Sequence, residues 1–330
     1  MKLLIIGGTI FLGQHLVEAA LARGHEVTLF NRGEHNPELF PEVEKLRGNR
    51  DGDLGALAGR QWDAVIDTCG YVPRIVKQSA ELLADAVGHY TFISSISAYA
   101  SFAQPGMDEN SPVGTIEDET EEKVTNESYG PLKVLCEQAV ERALPGRTLV
   151  IRPGMIVGPH DPSDRFTYWP YRVAQGGEVL VPGKPEQGFD LIDVRDLAEW
   201  NIRMVEAGKT GIYNAAGPDY RLTTEAVLQE SKAVSGSDAT FTYVSAEFLK
   251  TQEVDPNSIH AWFIPDDEEA FRYIWGVSYA NAIAEGLTYR PLSETVRATQ
   301  EWASARPADY AWRIGLKQER ERELLGGWHT

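Results

Sequence analysis

A tyrosine and a lysine stand four residues apart in Tyr129-Gly130-Pro131-Leu132-Lys133. On a helix that spacing puts both side chains on one face. A phenol beside an ammonium has its anion stabilised, so it can exchange a proton with a substrate oxygen near working pH. Upstream, Ser94-Ser95-Ile96-Ser97 supplies hydroxyls able to hold the same oxygen. Pro131 suits such a helix if it falls in the first turn, where its missing N–H is not needed.

A second group of residues opens the chain. Gly7-Gly8-Thr9-Ile10-Phe11-Leu12-Gly13 follows the apolar run 3–6 and precedes apolar residues at helical spacing over 12–22. A glycine-rich turn entering a helix offers backbone N–H groups to a dinucleotide's pyrophosphate. Gly13 then lets the helix pack closely on the strand. The next apolar run ends in Phe30-Asn31-Arg32-Gly33. An NAD site usually carries an acidic residue about 20 residues beyond the turn, for the ribose 2′-hydroxyl. Here Asn31 and Arg32 stand there instead, and Glu34 lies too far along. A guanidinium suits a 2′-phosphate, so the expected cofactor is NADP(H) ahead of NAD.

The elements that must position these groups alternate. Strands are expected at 3–6, 26–30, 64–67, 90–94 and 148–152, with helices at 12–22 and 74–87, the pattern of βαβ units and a parallel sheet. Residues 156–188, rich in Pro, Gly and aromatics, suit a loop-dominated cap. Strands at 189–194 and 211–215 flank a helix at 196–207, and the chain then turns mostly helical and polar. The charges of 317–325 alternate at helical spacing, which describes a solvated face.

In this order, the glycine turn, Ser94 to Tyr99, Tyr129 to Lys133, Arg152-Pro153-Gly154-Met155-Ile156-Val157-Gly158-Pro159 and Phe189 to Ala198 (Phe-Asp-Leu-Ile-Asp-Val-Arg-Asp-Leu-Ala) resemble a known superfamily. It is the extended branch of the short-chain dehydrogenases/reductases, more narrowly its NAD-dependent epimerase/dehydratase-like members. The resemblance implies an α/β Rossmann fold, a doubly wound parallel sheet with a smaller, mostly helical C-terminal substrate-binding part. The dinucleotide domain would be 1–155 with returning segments near 189–217. The cap and tail would be 156–188 and 218–330.

The resemblance also implies roles. Tyr129 is the proton donor or acceptor, Lys133 binds the nicotinamide ribose and lowers the tyrosine pKa, and Ser95 is the catalytic serine. Gly7, Thr9, Ile10, Phe11, Leu12 and Gly13 cradle the pyrophosphate. Asp53 and Leu54 flank the adenine, Cys69 lines the cofactor, and the stretch from Pro153 to Ile156 meets the nicotinamide amide. The sequence departs from the family's Gly-x-x-Gly-x-x-Gly at Ile10, where a β-branched side chain is placed to crowd the pyrophosphate. For the substrate, His160, Arg165 and Trp169 are the leading candidates, with Asp161, Tyr168, Arg195 and Trp262 beside them.

Composition narrows the classes. Lys and Arg number 31 against 49 Asp and Glu, a net charge of −18. Such a surface repels a phosphate backbone and an anionic membrane. The chain has no apolar window long enough to span a bilayer, and its two cysteines, Cys69 and Cys136, make no disulfide framework. The expected protein is cytoplasmic, acts on a small molecule and forms a homodimer on family analogy. The expected activity is that of an NADP(H)-dependent oxidoreductase on a carbonyl or hydroxyl compound. A nucleotide-sugar epimerase or dehydratase with tightly bound NAD is the alternative. A non-catalytic dinucleotide-binding or RNA-associated protein is a third.

Overall fold

The computed structural model describes residues 1–261, 263–264, 269–307 and 309–330. In chain order the elements are β1 (Lys2–Ile6), α1 (Leu12–Ala22), β2 (Glu26–Asn31), β3 (Glu44–Arg47), β4 (Trp62–Asp67), α2 (Pro73–Leu83), β5 (Val87–Ile93), α3 (Asn126–Ala143), β6 (Thr148–Pro153), β7 (Met155–Val157), α4 (Tyr168–Ala174), β8 (Glu178–Pro182), β9 (Leu191–Asp193), α5 (Val194–Glu206), β10 (Gly211–Ala215), α6 (Thr224–Ser235), β11 (Thr240–Val244), α7 (Ala246–Thr251), α8 (Ala280–Ala284), α9 (Leu292–Ser304) and α10 (Gln318–Trp328). Two compact units result. The first comprises residues 1–154, 194–216 and 276–288, and the second 155–193, 217–275 and 289–330.

The first unit is built on a seven-stranded sheet among the described residues, in the order β10-β6-β5-β4-β1-β2-β3. Neighbouring strands run parallel throughout. The strand order reverses between β1 and β4, which makes the sheet doubly wound and puts the crevice for ligands at the carboxyl ends of the strands. Leu3, Leu4 and Ile5 have no exposed surface, as a strand covered on both faces requires. Burying each such side chain contributes about 1.5–3 kcal/mol. Helix α1 packs with α5, and α2 with α3. Cys136 lies fully buried on α3 among Val65, Tyr90, Phe92 and Val140.

The second unit is mostly helical, with α4, α6 and α9 packed together. It also holds two small parallel pairs, β7 with β9 and β8 with β11. The stretch 156–188 is loop-rich, as expected, but is not without regular structure, since it carries α4 and β8. Glu178–Pro182 is a strand because β11 supplies its backbone partners, a distant pairing that Pro and Gly counts do not register. Nor is the charged tail wholly solvated. Glu321 of α10 is 1% exposed. It accepts from Arg172 Nε at 2.7 Å and from the Leu180 N–H at 3.1 Å.

Candidate active site

The turn after β1 is tied to the loop after β2 by side-chain amides. Asn31 Nδ2 donates to the Gly7 carbonyl at 2.8 Å, and Asn36 Nδ2 to the Thr9 carbonyl at 2.8 Å. Helix α1 starts at Leu12 behind Phe11, with no side-chain cap and no acidic residue in its first turn. The Gly13 and Gln14 N–H groups turn to the Ile10 and Phe11 carbonyls, so what the start of this helix offers an anion is chiefly its dipole. A Cβ on Gly13 would stand 2.8 Å from the Gly8 nitrogen, so only glycine lets the helix lie this close to the turn. Ile10 is 45% exposed and stands outside that contact, while its carbonyl accepts the Gly13 N–H at 3.0 Å. These residues fit a dinucleotide's pyrophosphate.

The Asn31 side chain, expected to meet the cofactor, already has partners within the protein. Its Nδ2 holds Gly7, and its Oδ1 accepts from the Gly33 N–H at 3.0 Å and from Arg47. Arg32 remains exposed and pairs with Glu34 at 2.9 Å. Asp53 is exposed, with its N–H donated to the Asn49 carbonyl at 2.8 Å, and Leu54 packs at the margin of the core. Cys69 sits just past β4, its Sγ donating to the Ile6 carbonyl at 3.7 Å and 3.9 Å from where a Gly7 Cβ would lie.

Ser95 opens a short 3₁₀ turn, Ile96–Ala98, and its Oγ accepts the Ser97 N–H at 3.1 Å. That role leaves the hydroxyl proton as a donor. Ser94 serves the interior instead. It donates to Glu137, whose carboxylate takes two bonds from the buried Arg152, at 3.0 and 2.7 Å. Helix α3 begins with a Thr125–Ser128 capping box, so Pro131 falls in the helix interior and not in the first turn. The cap moves the start of the helix upstream of where the Tyr-Lys pair alone would place it.

Both members of that pair lie on α3, as the spacing predicts. Lys133 is 3% exposed and donates to the carbonyls of Gly70 at 2.7 Å and Ile93 at 2.6 Å. Its Nζ also stands 4.3 Å from the Phe92 ring centroid and 5.3 Å from that of Tyr71. Burial pulls its pKa down to about 8. The Tyr129 ring is half-buried, 6.4 Å from Tyr71 between centroids. Tyr71 is pushed up to about 12, by burial first and by Tyr129 second, so it stays a neutral phenol.

Sequence reasoning missed three groups here: Tyr71, the Arg47 contact to Asn31, and a buried ion pair. Arg50 grips Asp67 through two bonds, at 2.8 and 2.7 Å, and also donates to Ser79 at 2.7 Å. The Tyr90 hydroxyl donates to the same carboxylate at 2.8 Å. The Arg50-Asp51 and Ile66-Asp67 dipeptides carry no spacing signal for such a pair.

In the second unit several of the substrate candidates serve the core, and Tyr168 and Trp169 pack edge to face, 5.3 Å between centroids. Trp169 has no exposed surface and packs edge-on to His260, 5.1 Å between centroids, so it is a core residue with no face for a substrate. Tyr168 and Asp161 are likewise buried. The His160 ring lies 5.4 Å from that of Trp302 between centroids, tilted by 50°, and the exposed Arg165 donates to Ser163 Oγ at 3.0 Å. A cavity of about 680 Å³ lies elsewhere in this unit, lined by Phe189, Arg221, Arg272, Tyr273 and Trp275 among others. Arg195 belongs to α5 of the first unit, Pro153 is buried at the end of β6, and Ile156 is half-buried in β7. Trp262 lies outside the described residues.

A family model described as the NAD dependent epimerase/dehydratase family matches residues 3–216. Epimerase family protein SDR39U1 of Bos taurus is 27% identical over 237 residues, 66% of this chain and 75% of that protein. The chloroplast stem-loop binding protein of 41 kDa b of Arabidopsis thaliana is 27% identical over 240 residues, 66% of this chain and 59% of that protein. The crystal structure of human SDR39U1 (isoform 2) with NADPH is 23% identical, with a TM-score of 0.62 over 93% of this chain and all of that one, which shows the shared fold. Among the described residues no helix is long and apolar enough to cross a membrane.

Proposed function

Because the chain belongs to the NAD-dependent epimerase/dehydratase family, we propose that it is an NADP(H)-dependent oxidoreductase acting on a small carbonyl or hydroxyl compound. The observation that carries this reading is the docking of α3 onto the serine turn at Gly130, where a Cβ would overlap the Ser97 carbonyl oxygen. That contact fixes the helix bearing Tyr129 and Lys133 against the turn bearing Ser95. The Lys133 contact to Gly70 joins the same helix to the loop of Cys69, beside Gly7.

The bound nicotinamide would supply or accept a hydride. The protein's own groups do the rest. Ser95 donates to the substrate oxygen, and Tyr129 passes the proton to or from it. Lys133, still mostly charged at pH 7, places a cation one helical turn from the phenol and offers it to the nicotinamide ribose. Gly7 to Gly13 hold the pyrophosphate at the start of α1, and Arg32 meets the 2′-phosphate. In this reading the second unit selects the substrate, two copies pair, and the two reduced thiols suit the cytoplasm.

Parallel titration with NADPH and NADH, after release of any retained nucleotide, tests the proposal. Much tighter NADPH binding by an empty protein supports it. Retained, non-exchanging NAD moves the function to an epimerase or dehydratase that recycles its hydride, the second reading that the family description favours. The stem-loop binding named for the Arabidopsis relative is disfavoured for this chain, as nucleic-acid binding of any kind is, by its net charge of −18.

A further inference from the structure

Strands β2 and β3 end at Asn31 and Arg47, which are cross-strand partners in the parallel register. Arg47 donates to Asn31 Oδ1, the oxygen that also accepts the Gly33 N–H. Its Cζ lies 2.9 Å from the place a Gly33 Cβ would occupy, so the guanidinium rests against the loop that carries Arg32. The two arginines differ in what already holds them. Arg32 has a carboxylate partner in Glu34, whereas Arg47, among the described residues, bonds to a neutral amide. Glu44, the acid of the same strand, is committed to Arg60 at 2.9 Å. A guanidinium has five N–H donors, and Asn31 engages only part of that set.

We propose that Arg47 is the second reader of the adenosine 2′-phosphate. It presents donors already aimed by Asn31, while Arg32 exchanges Glu34 for the incoming phosphate. A phosphate accepts two parallel N–H bonds from each planar fork, which a ribose hydroxyl cannot do. This assignment rests on the NADP(H) reading above. It also gives Asn31 a role that the amide plays without touching the ligand, as the residue that positions Arg47.

The test is calorimetric titration of the full chain and its Arg47→Gln, Arg47→Lys and Arg32→Gln variants with NADPH, NADH and 2′,5′-ADP. Arg47→Gln should weaken NADPH and 2′,5′-ADP by about tenfold or more, the scale of a lost charge-assisted bond, and NADH by less than about twofold. Arg47→Lys keeps the charge without the fork and should recover part of the loss. Equal weakening of NADPH and NADH would make Arg47 a structural prop only and overturn the assignment. Loss of NADPH preference in Arg32→Gln with none in Arg47→Gln would overturn it while leaving the cofactor reading intact. A wild-type protein that binds NADH as well as NADPH would remove the cofactor reading and this inference together.

Discussion

Gly130 and Ser97 meet where no side chain fits between them: a Cβ on Gly130 would occupy the space of the Ser97 carbonyl oxygen. The glycine belongs to the helix with the phenol, the carbonyl to the turn with the serine. Gly130→Ala should therefore push α3 off the turn and cost about 1–3 kcal/mol, the usual range for overpacking. Chemical denaturation reads the stability loss. Turnover should fall further than NADPH affinity does, because the pyrophosphate turn is not part of this contact.

Tyr129→Phe should bind NADPH as the wild type does and lose turnover by orders of magnitude, the signature of missing acid–base catalysis. Ser95→Ala should lose less, since it removes one donor to the substrate oxygen. Wild-type turnover in Tyr129→Phe would dismiss the mechanism.

Lys133 sets a pH dependence of stability with a definite sign. Burial lowers its folded pKa to about 8, against about 10.4 in an unfolded chain. Between these values the unfolded chain holds a proton that the folded one has released, so raising the pH favours folding. Below about pH 8 both states are protonated, and the cost of the buried charge is constant. The unfolding free energy of the wild type, minus that of Lys133→Met, should thus rise by on the order of 2–3 kcal/mol from about pH 8 to about pH 10. A flat difference would mean that Lys133 is not desolvated as described.

For Asp67, burial pushes the carboxyl up, but Arg50 and the Tyr90 hydroxyl outweigh it and leave its pKa below the usual carboxylate value. The pair's contribution is present above the unfolded pKa of about 3.9 and disappears as pH falls through the lower folded value. Asp67→Asn strands Arg50 in the interior and should cost about 3–5 kcal/mol, while replacing both partners with apolar residues should restore much of it. Urea midpoints at neutral pH separate the two cases.

Much of the first unit was legible because its signals are local. The apolar run at Leu3 to Ile6, the glycines beside it and the Tyr129–Lys133 spacing each lie within a few residues of one another. They led to the parallel sheet and to α3, while the doubly wound order came with the family resemblance. β3 escaped notice because Glu44–Arg47 is short and polar, with only Leu46 buried, so no period-two pattern exists. Its last residue, Arg47, escaped with it. The grip of Gly70 and Ile93 on Lys133 is made by carbonyls, which sequence composition cannot flag. Trp169 was misread because an aromatic in a Pro-rich stretch looks alike whether it faces a ligand or a core, and only α4 packing decides.

Burial pushes the thiol of Cys136 up to about 12, and that of Cys69 is raised as well, again chiefly by burial. Nucleophilic attack needs the thiolate, so neither sulfur should alkylate readily while the first unit stays shut. Cys136 therefore serves as a natural clock for opening of the α3 core. Its labelling rate with a small maleimide would count excursions from the closed state, with no reporter added to the protein. Cofactor that closes on Lys133 and the glycine turn should slow that clock in proportion to its occupancy.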